Sequence, residues 1–285
     1  MSDAKAEAEK APAQLPATAS NRRMKRRSVS QTVQYAIFVV VLLVVAFTAN
    51  WHVLASQFVR LDIAERLFPR LLTTALKNTV IYTLSGFVLG LLLGLVIALM
   101  RLSQVIPYRV LAGLYIEFFR GLPALVIFMF VGVGIPLAFP GSEIPGGTYG
   151  KVALGLGLVS AAYMAETIRA GIQAVPKGQM EAARSLGFSH RRAMLSIILP
   201  QAFRIIIPPL TNELVLLFKD SSLVLFLGVT LEERELTKFG RDLASETANT
   251  TPIFVAGLCY LIVTIPLGYL VRRLEARANA AQGRS

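Results

Sequence analysis

Residues 181–200 read Glu181-Ala182-Ala183-Arg184-Ser185-Leu186-Gly187-Phe188-Ser189-His190-Arg191-Arg192-Ala193-Met194-Leu195-Ser196-Ile197-Ile198-Leu199-Pro200, a charged stretch between two apolar runs, Gly150 to Ile168 and Ile205 to Leu217. A polar segment flanked in this way reads as a loop joining two membrane crossings. The loop itself predicts helix. Met180 to Leu186 has the spacing of a short amphipathic helix, and Gly187 is the residue type that supplies a left-handed stop. Ser189 has the side chain of an N-cap for a second helix, which Pro200 is expected to end. Two short helices meeting at a glycine corner would form a rigid projection from the membrane.

Composition places the whole chain in the membrane. Apolar residues make up 54% and charged residues only 16%, against roughly 25% charged in soluble domains. The single cysteine, Cys259, lies inside the last apolar run, which excludes an intrachain disulfide and a thiol metal cluster. A net charge of +12 is not a nucleic-acid footprint, because the basic residues are split among several loops and not gathered into one patch interleaved with aromatics. Membrane sidedness accounts for it better. Arg22, Arg23, Lys25, Arg26 and Arg27 precede the first apolar run; Lys177, Arg184, Arg191, Arg192 and Arg204 lie in the central loop against Glu181; Arg272, Arg273, Arg277 and Arg284 face only Glu275 at the end. Those three segments are expected on the cytoplasmic side.

In order, residues 1–32 are a basic cytoplasmic tail expected to be disordered. Val33 to Thr48 is a first anchor, preferred over a signal peptide because Thr48-Ala49-Asn50-Trp51 is a poor cleavage site. His52 to Arg70 predicts an outer surface helix ended by Pro69. Leu71 to Met100 is the second span, with Gly86, Gly90 and Gly94 on one face, where another helix can approach closely, either within this chain or from a second subunit. Tyr108 to Arg120 predicts an amphipathic helix at the cytoplasmic interface. Ala124 to Phe139, Gly150 to Ala170, Ile205 to Val229 and Thr251 to Val271 complete six spans, with both termini cytoplasmic and an acidic external loop from Leu231 to Thr250. The fold class is an all-α polytopic transmembrane bundle: an additional span (33–50), a core (71–273) containing the cytoplasmic loop 172–204, and a cytoplasmic tail (274–285).

The order Glu181-Ala182-Ala183, Gly187, Ile197, Leu199-Pro200 resembles the signature of permease subunits of ATP-binding-cassette (ABC) importers, and every anchor position matches. Ala162-Tyr163-Met164-Ala165-Glu166, Leu199-Pro200-Gln201-Ala202, Pro208-Pro209-Leu210-Thr211-Asn212 and Lys219-Asp220-Ser221-Ser222-Leu223 look like the polar amino-acid uptake branch. The likeness runs from about Leu71 to Arg273, five spans, so Val33 to Thr48 is an addition to the family core. Glu117-Phe118-Phe119-Arg120-Gly121 resembles the family's second marker, although Leu122 stands where many relatives have Thr. The resemblance implies that Glu181, Ala182, Ala183, Arg184, Gly187, Ile197, Leu199 and Pro200 couple the membrane helices to a separate ATPase. It also implies a second permease, identical or related, two ATPase subunits and an extracytoplasmic solute-binding protein, in the bacterial inner (plasma) membrane.

No motor is encoded here: Gly150-Lys151 is followed by Val152, and Pro145 replaces the first glycine of a phosphate-binding loop, so no backbone cradle forms. No cofactor is expected in this chain, ATP with magnesium belonging to the partner ATPase. The only histidines, His52 and His190, are expected on opposite sides of the membrane, which argues against an enzyme of its own. Charges inside spans are the remaining signal, because each costs several kcal/mol, roughly 3 on insertion scales, unless it faces protein or water. Lys77, beside Asn78, can snorkel outward. Glu166 and Arg169 have the spacing of a local ion pair, with Glu166 also a candidate for the substrate pathway. Asn212, Glu213, Lys219 and Asp220 form a two-lane polar stripe, and Asp220, Ser221 and Ser222 are N-cap residues that predict a break and restart of the helix inside the membrane. These residues offer an amino acid a cation or helix end for its carboxylate and an acid for its amine; the alternative is an internal Lys219–Asp220 pair. For the chain as a whole, a permease for another small polar solute, a passive channel or facilitator, and a membrane scaffold are the rival readings.

Overall fold

The structure, a computed structural model, describes residues 17–141 and 144–282, and every regular element among them is helical. The chain divides into two compact units, 1–54 and 55–285. In the first, α1 runs from Ala17 to Thr48, so helix begins inside the segment expected to be disordered, and residues 1–16 lie outside the described residues. No glycine or proline interrupts 17–48, so the helix of the apolar run extends back through the basic stretch. Its apolar part, Gln31–Thr48, is wholly unburied. Its end is closed by the Trp51 indole N–H donating to the Ala46 carbonyl at 2.7 Å.

The expected surface helix before Pro69 is two helices, α2 Trp51–Phe58 and α3 Leu61–Leu67. Arg60, between them, is extended (φ −87°, ψ 105°). The interruption has a cause in hydrogen bonding: the Gln57 carbonyl accepts from the Thr250 N–H at 3.1 Å, and the Arg60 N–H donates to Thr251 Oγ1 at 3.1 Å. This segment leaves its own helix to fasten the start of the last span.

The rest of the second unit is α4 Leu71–Leu102, α5 Ile106–Gly121, α6 Ala124–Ala138, α7 Gly147–Gln173, α8 Lys177–Ser185, α9 His190–Phe226, α10 Leu236–Thr247 and α11 Thr251–Gln282. α1, α4, α7, α9 and α11 are long and apolar enough to cross a bilayer. The expected third span is not a free-standing helix. α6 is bent by 102° from α5 at Leu122-Pro123, and its 15 residues alone reach only ~22 Å of a ~30 Å core. α5 buries Ala112 and Ile116 and is tied to α7 by the Tyr115 hydroxyl, which donates to the Leu158 carbonyl at 2.8 Å.

Three buried clusters hold the bundle from one end to the other. Ile97, Ala98, Ala165, Ile168, Ile198 and Ala202 pack near the central loop. Tyr82, Phe128, Leu156, Met164, Leu217 and Val224 pack further along. Leu71, Ala75, Leu236, Phe239, Ala256 and Cys259 fill the far end.

The glycine face of α4 is used inside the chain. Gly86, Gly90 and Gly94 are buried against α7, where a Cβ on Gly86 would sit 2.5 Å from Leu156 Cβ and one on Gly94 3.0 Å from the Ala161 carbonyl. A Cβ on Gly90 would overlap Ser160 Oγ. Of the two readings left open, packing within one subunit is the one observed. We expect Gly90→Ala to destabilise the protein by about 1–3 kcal/mol, and Ser160→Gly to restore most of that loss. Thermal unfolding in detergent measures both, and equal stability of Gly90→Ala and parent would contradict this contact.

Pro200 does not end a helix. The helix begun at His190 continues through it into the span, by way of one wide turn at Met194–Ile198 in which the Leu199 N–H donates to the Met194 carbonyl. The widened turn makes room for the proline ring, and the proline has no N–H that needs a partner. The expected restart near Ser221 is likewise absent. The α-helix passes directly into a 3₁₀ segment, Ser221–Phe226, with Asp220 and Ser221 both in right-handed helical conformation. Ser221 Oγ donates back to the Phe218 carbonyl at 2.8 Å and caps nothing. The external segment expected as a loop is folded, as a 3₁₀ turn at Leu231–Glu233 followed by α10.

Candidate coupling corner and translocation cavity

The corner at Gly187 is built by the backbone. α8 ends with the Gly187 N–H donating to the Arg184 carbonyl at 3.0 Å and the Phe188 N–H to the Ala183 carbonyl at 3.1 Å. This pair of closing bonds requires the left-handed residue between them, and Gly187 has φ +86°. Ser189, as expected, caps the next helix by accepting from the Arg192 N–H at 3.3 Å. The Arg192 guanidinium lies 5.1 Å over the Phe188 ring, and Arg184 Nη1 donates to the Phe188 carbonyl at 3.0 Å. Gln201 on α9 reaches the Ile197 carbonyl at 3.0 Å and Gln179 on α8 at 3.5 Å.

The signature residues separate into two kinds. Ala183 is buried, and Ile197 and Leu199 are half-buried, with Ile197 packed against the cluster of Ala165, Ile168 and Ile198. Glu181, Ala182, Arg184, Gly187 and Pro200 face outward. Beside Gly187, Leu186 is 78% exposed.

A cavity of about 250 Å³ opens between α6, α7 and α9, and its wall includes Leu122, Phe128, Ser160, Tyr163, Glu213 and Asp220. Glu213 and Asp220 are seven residues apart, two helical turns, and so share a face. Neither carboxylate forms an ion pair within 4.0 Å among the described residues, although Lys219 attracts Asp220 from further away. Asn212 and Lys219 stand on the neighbouring, exposed lane and do not line the cavity. The polar stripe of α9 therefore splits: one acidic lane faces the cavity, and the other faces away from this subunit. The expected helix end for a carboxylate is missing, because α9 does not restart, and the alternative Lys219–Asp220 ion pair is not formed either. Ser221 is buried and Ser222 half-buried, and neither lines the cavity.

Glu166 is not in the cavity lining. It forms the local pair expected from its spacing, with Arg169 at 2.6 Å, and Arg169 also donates to Gln173 at 2.5 Å. A cation touches the lining elsewhere: the Arg120 guanidinium lies 5.4 Å over the ring of Tyr163. Lys77 is exposed, as a snorkelling lysine should be, whereas its neighbour Asn78 is buried and hydrogen-bonded.

The model of the family "Binding-protein-dependent transport system inner membrane component" matches residues 86–280. The chain is 44% identical over 189 residues to the probable glutamine ABC transporter permease protein GlnM of Bacillus subtilis, covering 65% of this chain and 82% of that protein. It is 40% identical over 210 residues to the arginine transport system permease protein ArgU of Corynebacterium glutamicum, covering 70% of this chain and 65% of that one, just under two thirds of its length. Among solved structures, "Crystal structure of an amino acid ABC transporter with histidines" superposes with a TM-score of 0.68 at 34% identity, over 76% of this chain and 97% of that chain. With the glycine corner, the continuous α9 and the membrane-crossing bundle in place, the chain belongs to the binding-protein-dependent inner membrane components, as a multi-pass permease of the ABC importer fold.

Proposed function

We propose that this permease forms the translocation pathway of an ATP-driven amino-acid importer, and that the corner at Gly187 passes the motion of a separate ATPase to the cavity. The observation that carries this is the continuity of α9. One helix of 37 residues, His190–Phe226, begins at the corner and bears both Glu213 and Asp220. A push on the corner is therefore passed to the cavity wall along one unbroken helix, through the wide turn at Met194–Ile198 and past Pro208-Pro209, where the helix can flex. The partners follow from the family: a second permease, two ABC ATPases that hold ATP with magnesium, and an extracytoplasmic solute-binding protein. Both termini and the corner face the cytoplasm in this reading, supported by the basic residues gathered on that side.

The two carboxylates favour a substrate with a cationic group. An ammonium entering a cavity with two unpartnered acids gains charge-assisted hydrogen bonds. The names of relatives that carry glutamine and arginine support an amino acid as the cargo. The test is uptake of labelled amino acids into cells carrying the complete transporter, with the partner ATPase either active or disabled in its hydrolytic site. Uptake should vanish with the disabled ATPase. Uptake that persists would make this chain a passive facilitator.

A further inference from the structure

At the end of the bundle opposite the corner, the chain leaves α9 and crosses to α10 as a strap, Gly228 to Arg234. Leu231 and Glu232 are exposed, whereas Val229 packs against the cluster of Tyr82 and Phe128, and Arg234 pairs with Asp242 of α10 at 2.9 Å. Its hold on α4 is a set of main-chain acceptors. The carbonyls of Glu232 and Arg234 both accept from Asn78 Nδ2, at 2.7 and 3.0 Å, and the carbonyl between them, of Glu233, accepts from the Tyr82 hydroxyl at 2.8 Å. Asn78 and Tyr82 are one turn apart on α4. Asn78 is only 3% exposed, and its own carbonyl oxygen accepts from the Tyr149 hydroxyl of α7 at 2.9 Å. One amide thus joins α4, α7 and the strap.

The two ends of the strap are fixed differently. Leu227 is buried against Gly132 of α6, and Leu236 is fully buried, with its N–H donating to Thr79 Oγ1 at 3.1 Å. Between those anchors Gly228 has open space where a side chain would stand, and Leu227 and Thr230 are extended. The strap lies over the cluster of Tyr82, Phe128, Leu156 and Leu217, and the last three also wall the acidic cavity.

We propose that the strap is an outer gate over the cavity and that Asn78 is its latch, a positioning residue that holds the gate shut by gripping two of three successive carbonyls while Tyr82 holds the third. Water can replace each of those hydrogen bonds when the strap lifts, and Val229 is the one apolar side chain of the strap that would be withdrawn from the cluster. Opening exposes Asn78, Tyr82 and Tyr149 as a polar throat. The proposal rests on the import reading only for the direction in which substrate enters.

The test places one reporter cysteine in the cavity wall, Val159→Cys in a Cys259→Ser background, in the complete transporter in right-side-out vesicles. Labelling by an impermeant maleimide from the outer face is followed with time. Asn78→Asp still accepts from Tyr149 but, ionised, cannot donate to the carbonyls; Asn78→Leu removes both contacts at similar size. Each should speed outer labelling about tenfold, the effect of losing one to two ordinary hydrogen bonds on the opening equilibrium. Tyr82→Phe, which removes one carbonyl contact and keeps the ring packing, should give a smaller acceleration, and labelling from the corner side in inverted vesicles should not change. A purely structural Asn78 predicts less inserted protein and a lower Tm, with the outer labelling rate of the folded fraction unchanged; that result overturns the latch. ATP-dependent uptake in the same vesicles separates the two readings. Faster labelling with uptake indifferent to the ATPase would defeat import and keep the gate, whereas unchanged labelling with ATP-dependent uptake would do the reverse.

Discussion

Gly187→Val should leave the permease inserted and folded but lower uptake at least about tenfold. The reason is local. Gly187 has φ +86°, and nothing lies within 4 Å of where its Cβ would be, so the substitution meets no clash and acts on the backbone alone. A β-branched residue pays ~1–2 kcal/mol or more in that conformation, equivalent to about a tenfold change in the population of the native corner. The chain escapes the strain by giving up the bonds from Gly187 and Phe188 to the carbonyls of Arg184 and Ala183. Leu186 then no longer points from a fixed corner, and α8 loses its angle to α9. Gly187→Asn is the control, because asparagine tolerates the left-handed region, and it should retain most uptake. Co-purification of the ATPase with the permease and substrate-stimulated hydrolysis read the effect; normal values of both in Gly187→Val would show that the corner is ordinary surface.

That corner was legible in the sequence because a left-handed helix stop demands a particular residue, and Gly187 followed by the cap at Ser189 leaves few other conformations. The small-residue face of α4 was legible for the same kind of reason, since Gly86, Gly90 and Gly94 offer the room that Leu156, Ser160 and Ala161 of α7 take up. Pro200 misled because a proline reads as a helix end, whereas a single wide turn at Met194–Ile198 lets α9 continue. Residue type alone misled at Ser221, a good cap whose hydroxyl bonds back to Phe218. Asn78 gave almost no signal of its role. Its partners are main-chain carbonyls 154 and 156 residues away, and a main-chain acceptor leaves no trace in the residue that carries it. The stripe on α9 was legible as polar but not as to facing: Glu213 and Asn212 differ by one position, ~100° around the helix, and only packing against α6 and α7 decides which lane meets the cavity.

The acidic lane gives the second large effect. Glu213→Gln and Asp220→Asn keep size and hydrogen-bonding capacity while removing charge, so a fold that does not use the charges should tolerate both. Neither carboxylate has an ion pair to lose among the described residues, and burying less charge relieves a desolvation cost larger than the attraction of Lys219 for Asp220. Insertion and thermal stability should therefore be equal to the parent or better. Transport should go the other way. A charge-assisted hydrogen bond to an ammonium contributes about 2 kcal/mol, so each single variant should lose roughly thirtyfold in half-saturating concentration or rate, and the double variant more. Lys219→Met tests the other lane: because Lys219 does not line the cavity, it should change uptake far less than Asp220→Asn within one subunit. Labelled uptake normalised to inserted protein, with Tm measured beside it, decides the matter. Near-parental uptake in the double variant would remove both acids from the pathway; a fall in Tm that matches the fall in uptake would make them structural.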